Sequence, residues 1–300
     1  MRRLTLAVQP ADAGERIDRF IAARGGISRG EARRALDAGG VFLDGRRCKV
    51  AARMVRPGQR VVVNLEEGGR AASRPAALDR ARLLYADADL AAVDKPAGVP
   101  AQPTLTSDVG TLPELVAALL GAPVTIVHRL DRETSGVTVL ARTKQAAAAL
   151  AEAFRAGTPE KTYLALCARP PRPEEGRVDA PLGKDPARAG LRRVDARGDP
   201  AATRYRTLRA GAGGALVEAR PETGRTHQIR VHLAHLGAPL LGDARYGGPR
   251  RVGEVEIPRV MLHARRLEIR HPVTGAAMVF EAAIPDDFAT VERELISPSP

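Results

Sequence analysis

The sequence predicts an α+β protein in two parts. A small N-terminal unit of two helices and a hairpin precedes a larger domain whose mixed, mostly antiparallel sheet is flanked by helices. Three observations carry this expectation. Ile17, Phe20 and Ile21, and then Ala32, Ala35 and Leu36, recur at helical spacing. From residue 83 onward the apolar runs shorten to strand length and carry many β-branched residues. The helical stretches among them, at 111–120, 144–154 and around 229–236, are few, so several short strands must share one sheet.

The N-terminal unit covers residues 1–65. Ser28 opens its second helix with Glu31 three residues on, a reciprocal cap that satisfies two backbone donors. Arg29, Arg33 and Arg34 give this helix a basic side. Such a side suits RNA phosphates, which supply affinity and salt dependence but little sequence information. It equally suits the solvated face of an amphipathic helix. Strands at 41–43 and 48–50 flank Asp44-Gly45, a two-residue turn signal, and Pro57-Gly58 leads to a third strand at 61–63. Residues 66–80 are small, polar and turn-rich, a flexible linker, and the larger domain occupies 81–295.

Within that domain, 83–85 and 90–93 read as strands that end at Lys95-Pro96-Ala97-Gly98. The helix at 111–120 leads to β-branched runs at 123–127 and 137–141. Thr143 is a candidate N-cap for the Ala-rich helix that follows, and a strand at 161–166 carries Tyr163. Residues 170–200, rich in Pro, Gly and Arg and including Arg192 and Arg193, read either as an RNA-contacting loop or as a plain surface excursion. Strands at 202–206 and 216–219 precede a turn and a helix with Ile229, Leu233 and Leu236 on its apolar side.

The chemistry concentrates between the two β-branched runs. His128-Arg129-Leu130-Asp131-Arg132-Glu133 packs two arginines, two carboxylates and a histidine into six residues held at both ends by strands. A loop mounted in this way is rigid enough for catalysis. His227, His232 and His235 lack the spacing of a zinc helix, Ser135 lacks the Gly-x-Ser-x-Gly setting of a nucleophile, and no phosphate-binding glycine loop is present. No metal and no small-molecule cofactor is expected.

The stretch His128-Arg129-Leu130-Asp131-Arg132-Glu133-Thr134-Ser135-Gly136 resembles the signature of the RluA family of RNA pseudouridine synthases. Gly224-Arg225-Thr226-His227-Gln228-Ile229-Arg230, Lys95-Pro96-Ala97-Gly98, Leu262-His263-Ala264 and His271-Pro272-Val273-Thr274-Gly275 resemble further elements of that family. The N-terminal text, Ser28-Arg29-Gly30-Glu31-Ala32-Arg33-Arg34 with Gly40-Val41-Phe42-Leu43-Asp44-Gly45, resembles an S4 RNA-binding domain. The resemblance implies a synthase of the RluC/RluD kind that isomerises uridine in large-subunit ribosomal RNA, with transfer RNA as an alternative substrate. It makes Asp131 the catalytic residue, pairs Arg225 with it, and sets Tyr163 against the target base. It also implies that the nucleotide is flipped out of its helix and that Arg129 fills the vacated space. Arg29, Arg33, Arg34, Arg192 and Arg193 become RNA contacts, and the Lys95 element an early part of the active-site wall.

Composition agrees with an RNA partner. The net charge of +12 suits a polyanion, although arginine exceeds lysine in a chain rich in Ala, Gly and Pro, the look of a biased codon supply. Cys48 and Cys167 are far apart, as in a reduced cytoplasmic protein, and no run approaches the ~18 apolar residues of a membrane span. A cytoplasmic monomer is expected. Two rival classes are a non-catalytic RNA-binding or ribosome-assembly protein on the same fold and an Asp-based glycosidase for small sugars. The first has no need of Asp131, Tyr163 and Arg225 together, and the second has no need of the basic N-terminal unit.

Overall fold

The computed structural model of the chain describes residues 2–65 and 77–296. Most of the expected linker, residues 66–76, lies outside the described residues. Contacts divide the rest into two units.

The first unit contains β1 (Arg2–Ala7), α1 (Ile17–Gly25), α2 (Arg29–Ala38), β2 (Val41–Leu43), β3 (Arg46–Arg47) and β4 (Arg60–Leu65). Its four strands pair antiparallel in the order β1-β4-β2-β3. The apolar stripes of both helices, Ile17, Phe20, Ile21, Ala32 and Leu36, share a core with Val41, Val61 and Val63. The cap is as the sequence predicts: Ser28 Oγ accepts from Glu31 N–H, and the Glu31 carboxylate accepts from Ser28 N–H at 2.8 Å. Asp44 and Gly45 both take positive φ, 51° and 78°, which matches the twist of a tight hairpin. The hairpin's second strand lies at 46–47 instead of 48–50. β1 has no counterpart among the sequence expectations, because Leu4 and Leu6 alone give too short an alternation; its full register with β4 is a tertiary effect.

The boundary drawn at residue 80 does not coincide with the boundary in contacts. Residues 102–118, which include most of α3 (Leu112–Leu120), belong to the first unit. Asp108 N–H donates to Ala38 O at 3.0 Å, and its carboxylate accepts from Lys49 Nζ at 2.9 Å.

The second unit is built on one ten-stranded sheet. Its strands are β5 (Leu83–Ala86), β6 (Leu90–Lys95), β7 (Thr125–Ile126), β8 (Ser135–Ala141), β9 (Glu160–Cys167) and β10 (Glu175–Asp179), then β13 (Ala202–Gly211), β14 (Gly214–Pro221), β17 (Leu262–Arg270) and β18 (Ala277–Glu281). β11 (Leu182–Lys184) with β12 (Arg192–Val194), and β15 (Arg251–Val252) with β16 (Val255–Glu256), form small separate hairpins. Every pairing in the large sheet is antiparallel except β17 with β8, so the sheet is mixed and mostly antiparallel. The helices α4 (Lys144–Ala156), α5 (Gln228–His235) and α6 (Asp286–Leu295) cover its two faces. Side chains alternate along a strand, so on β9 Ala165 and Cys167 join the α5 core with Ile229 and Leu233, while Leu164 and Leu166 join Phe288 and Val291 of α6. Thr143 caps α4 by accepting from Ala146 N–H.

The parallel join lies beside the charged loop and depends on Gly136. Its φ is 115°, and a Cβ there would stand 2.2 Å from Ala264 O of β17. Gly136→Ala is expected to cost about 2–4 kcal/mol, from the unfavourable φ and the backbone clash together. Denaturant unfolding of the full chain measures that loss.

Candidate active site

The loop between β7 and β8 is fixed from both sides. Upstream, the His128 ring stacks on Phe154 of α4 at 4.2 Å, and its Nε2 accepts from Val139 N–H at 2.9 Å. Burial pushes this imidazole down to about 3, so it is a neutral structural group. Downstream, Gly98 N–H donates to Arg132 O at 2.7 Å. The fully buried Lys95 ammonium donates to the carbonyls of Pro96, Val99 and Arg132. Burial lowers Lys95 to about 7, against the opposing pull of Asp131. Lys95-Pro96-Ala97-Gly98 therefore backs the loop and is not itself a wall of the cavity, which corrects the expectation drawn from the resemblance.

The wall comes from the loop, from α4 and β9, and from the turn into α5. Together they enclose a cavity of about 320 Å³ lined by Arg129, Asp131, Tyr163, Arg225, His227 and Arg230, among others. Four of the expected site residues, Asp131, Tyr163, Arg129 and Arg225, thus meet in one place. Tyr163 stands on β9 where its phenol is held well above the ordinary value, first by burial and then by the Asp131 charge, so it stays protonated.

The pairing of Asp131 differs from expectation. Its Oδ2 accepts from Arg230 Nη1 at 3.0 Å, 99 residues away in sequence. Its Oδ1 accepts no hydrogen bond from the described residues. Arg225 sits one turn earlier, exposed at the rim, with its Nε donating to Pro200 O at 3.0 Å. The reason is helical geometry: Arg225 precedes α5 in a turn, whereas Arg230 lies inside α5 on its buried side. Arg230 is also locked from behind, with Nε and Nη2 donating to Asp243 at 2.7 and 2.8 Å and its guanidinium over the Tyr246 ring. Burial opposes the Arg230 charge, but the hydrogen bonds and charge of Asp243, with those of Asp131, outweigh it and raise its pKa. A two-point clamp of this kind fixes the third donor, Nη1, in space.

Arg230 and Asp243 are not among the site residues expected from the sequence, although the setting of Arg230 singles it out. Arg230 sits within Gln228-Ile229-Arg230-Val231-His232-Leu233, every residue of which is buried. An arginine enclosed by apolar neighbours requires carboxylate partners.

The remaining expected residues lie elsewhere. Arg29 and Arg33 place their Nε atoms 3.0 and 3.2 Å from Asp18, a wholly buried carboxylate that also pairs with Arg16, while Arg34 is exposed. Burial raises the Asp18 pKa, but hydrogen bonds from Arg16 and Arg29 prevail and hold it below the usual range. Arg192 and Arg193 belong to β12, Arg193 pairing with Asp195 at 3.1 Å. His232 is buried, hydrogen-bonded to Thr203 and to Ala180 O. Among the described residues, Asp87, Asp89 and His271 are spaced to hold a metal ion. Internal hydrogen bonds already use this group: Asp87 accepts from Tyr85 Oη and His271 Nε2, and His271 Nδ1 accepts from the Val273 and Thr274 N–H groups.

Comparison with known proteins agrees with this layout. A family model described as RNA pseudouridylate synthase matches residues 89–235, and one for the S4 domain matches residues 15–61. An uncharacterized RNA pseudouridine synthase of Chloroflexus aurantiacus is 40% identical over 298 residues, 97% of this chain and 93% of that protein. The ribosomal large subunit pseudouridine synthase D of Vibrio vulnificus is 34% identical over 312 residues, 97% of this chain and 94% of that protein. Among solved structures, human RNA pseudouridylate synthase domain containing 4 is similar with a TM-score of 0.60 at 30% identity, covering 73% of this chain and 94% of that one.

Proposed function

The chain belongs to the RNA pseudouridylate synthase family, and from that premise we propose that it converts uridine to pseudouridine in large-subunit ribosomal RNA with Asp131 as the reacting carboxylate. The observation that carries the reading is the fixed pair at the cavity wall, Asp131 Oδ2 on Arg230 Nη1, with Oδ1 accepting no hydrogen bond from the described residues. In the reaction the C1′–N1 bond breaks, the uracil turns, and C5 joins C1′; C5 loses a proton and N1 gains one. The free oxygen of Asp131 is the group that engages the electron-poor sugar or the base, as glycosidase carboxylates do. Arg230 steadies its partner oxygen throughout.

A uracil stacked in RNA cannot reach this carboxylate, so the nucleotide enters the cavity flipped out. Tyr163 offers a ring for the base to stack on, and its protonated phenol leaves it ill-suited to act as a base. Arg129, exposed beside Asp131, is the residue to occupy the vacated stack. Arg225, at the rim, is assigned to RNA phosphate. No step calls for a metal or a small-molecule cofactor. No described helix is long and apolar enough to cross a membrane. A cytoplasmic monomer is part of this proposal and rests on the sequence reading alone.

In the S4 unit, Asp18 fixes the Nε ends of Arg29 and Arg33 and leaves the rest of each guanidinium half-exposed for RNA phosphates. Replacing both arginines by alanine is expected to weaken RNA binding uniformly across sequences. It should also flatten log affinity against log salt by ~0.7–0.9 per lost contact. A filter-binding salt series checks this. The function itself is tested by mapping pseudouridines in RNA from cells with and without the protein. Loss of one or more sites in large-subunit ribosomal RNA is the expected result. Loss confined to transfer RNA moves the substrate assignment, and an unchanged map in all RNA overturns the reading.

A further inference from the structure

We propose that His227 is a further catalytic residue, an uncharged N–H donor to a carbonyl oxygen of the extruded pyrimidine, and that Tyr246 is the positioning residue that sets its tautomer. The proposal rests on the pseudouridine synthase reading above and adds two side chains to it.

His227 is the residue that precedes α5, and its backbone is left-handed, φ 59° and ψ 18°. Non-glycine residues adopt that conformation rarely and at a cost, and such positions gather at functional sites. The imidazole does nothing for the helix it introduces, since it makes no capping hydrogen bond. It turns instead into the wall of the cavity, where its side chain is 10% exposed and its Nε2 lies 3.8 Å from Asp131 Oδ2. That gap is too long for a hydrogen bond, so Nε2 is directed at the reaction space without being consumed by the carboxylate.

The hydrogen-bond chain behind the ring identifies where its proton sits. Arg192 N–H donates to Tyr246 Oη at 3.0 Å, and Tyr246 Oη stands 2.7 Å from His227 Nδ1. An amide can only donate, so the phenol oxygen accepts from it and the phenol O–H donates a hydrogen bond to Nδ1. The opposite assignment leaves the phenol proton without an acceptor among the described residues. Nδ1 is therefore the acceptor and Nε2 carries the hydrogen that faces the cavity. Burial holds the ring below its ordinary pKa, with Asp131 opposing and Arg230 and Arg245 assisting, so the group stays neutral near pH 7.

A neutral donor fits the chemistry of the leaving group. When C1′–N1 breaks, its electron pair stays with the uracil and spreads over N1 and the two carbonyl oxygens. Nε2–H stabilises that charge by hydrogen bonding and keeps its proton, so the balance of the isomerisation is unchanged: C5 gives up one proton and N1 takes one. A positioned donor that meets developing charge in a closed site contributes about 10²–10³ in rate.

The test compares three substitutions at His227, of which asparagine and glutamine rank in opposite order for folding and for catalysis and leucine lacks the donor. Asparagine tolerates the left-handed backbone best but reaches only about as far as Nδ1; glutamine is more strained there but carries an amide N–H about as far as Nε2; leucine carries none. With full-length protein, tritium release from ribosomal RNA labelled at uracil C5 gives single-turnover rates, filter binding gives RNA affinity, and thermal unfolding gives the midpoint. His227→Gln is expected to stay within about tenfold of the wild-type rate. His227→Asn and His227→Leu should fall by about 10²–10³ with RNA affinity little changed. Tyr246→Phe, which keeps the ring but frees the imidazole, should lose about fivefold to tenfold in rate alone. Rates that follow the order of thermal midpoints, with asparagine above glutamine, overturn the proposal, as does a leucine variant or Tyr246→Phe at the wild-type rate. A wild-type protein that releases no tritium from ribosomal RNA or from transfer RNA labelled in the same way overturns the synthase reading itself and this proposal with it.

Discussion

Asp131→Asn is expected to reduce pseudouridine formation by ~10⁴-fold or more, the scale on which an enzyme loses an essential reacting group. Fold and RNA binding should survive. The amide has the shape of the carboxylate, and its carbonyl oxygen can still accept from Arg230 Nη1. Arg230 meanwhile keeps its two bonds to Asp243, so no buried charge is left without a counter-charge. The variant should unfold within about 1 kcal/mol of wild type, because only one charge-assisted hydrogen bond is weakened. Denaturant unfolding and filter binding check both expectations, and a variant that binds RNA poorly would place Asp131 in recognition instead of chemistry.

Arg230→Ala should act differently, because it fails on two counts. It removes the donor that steadies Asp131, for a loss of about 10²–10³ in turnover. It also strands Asp243, whose side chain is 1% exposed, at about 3–5 kcal/mol of stability. A double change, Arg230→Met with Asp243→Leu, separates the two: apolar replacement of both partners should recover most of the stability and none of the turnover. Arg225→Ala is the control. It leaves the Asp131–Arg230 pair untouched and removes a rim cation, so RNA affinity should fall with little change in the single-turnover rate at saturation. Equal rate losses for Arg225→Ala and Arg230→Ala would contradict the assignment of the steadying role to Arg230.

That exchange of arginines shows what the sequence can convey. Interactions within a few residues were legible: the Ser28–Glu31 cap, the Asp44-Gly45 turn, the Thr143 cap and the strand-loop-strand mount of Asp131 all form as their local chemistry dictates. The two-part organisation and the mixed sheet were legible too, since they follow from periodicity. Choices made by tertiary packing were not. Both Arg225 and Arg230 stand in the same short block, and only the start of α5 at Gln228 decides which of them points at Asp131. Residues 102–118 follow a strand of the second unit in sequence yet pack with the first, and β1 forms because β4 offers it a partner. The left-handed turn at His227 likewise leaves only a faint trace in residue type, because histidine is enriched at positive φ yet adopts it in a small minority of cases.

We assign the isomerisation of uridine in RNA to Asp131, held by Arg230. Tritium release from large-subunit ribosomal RNA labelled at C5 of uracil measures it most directly, with wild type and Asp131→Asn run side by side. Wild type should release tritium in step with pseudouridine recovered from the digested RNA, and Asp131→Asn should release none above background. Equal release by the two proteins would contradict the account.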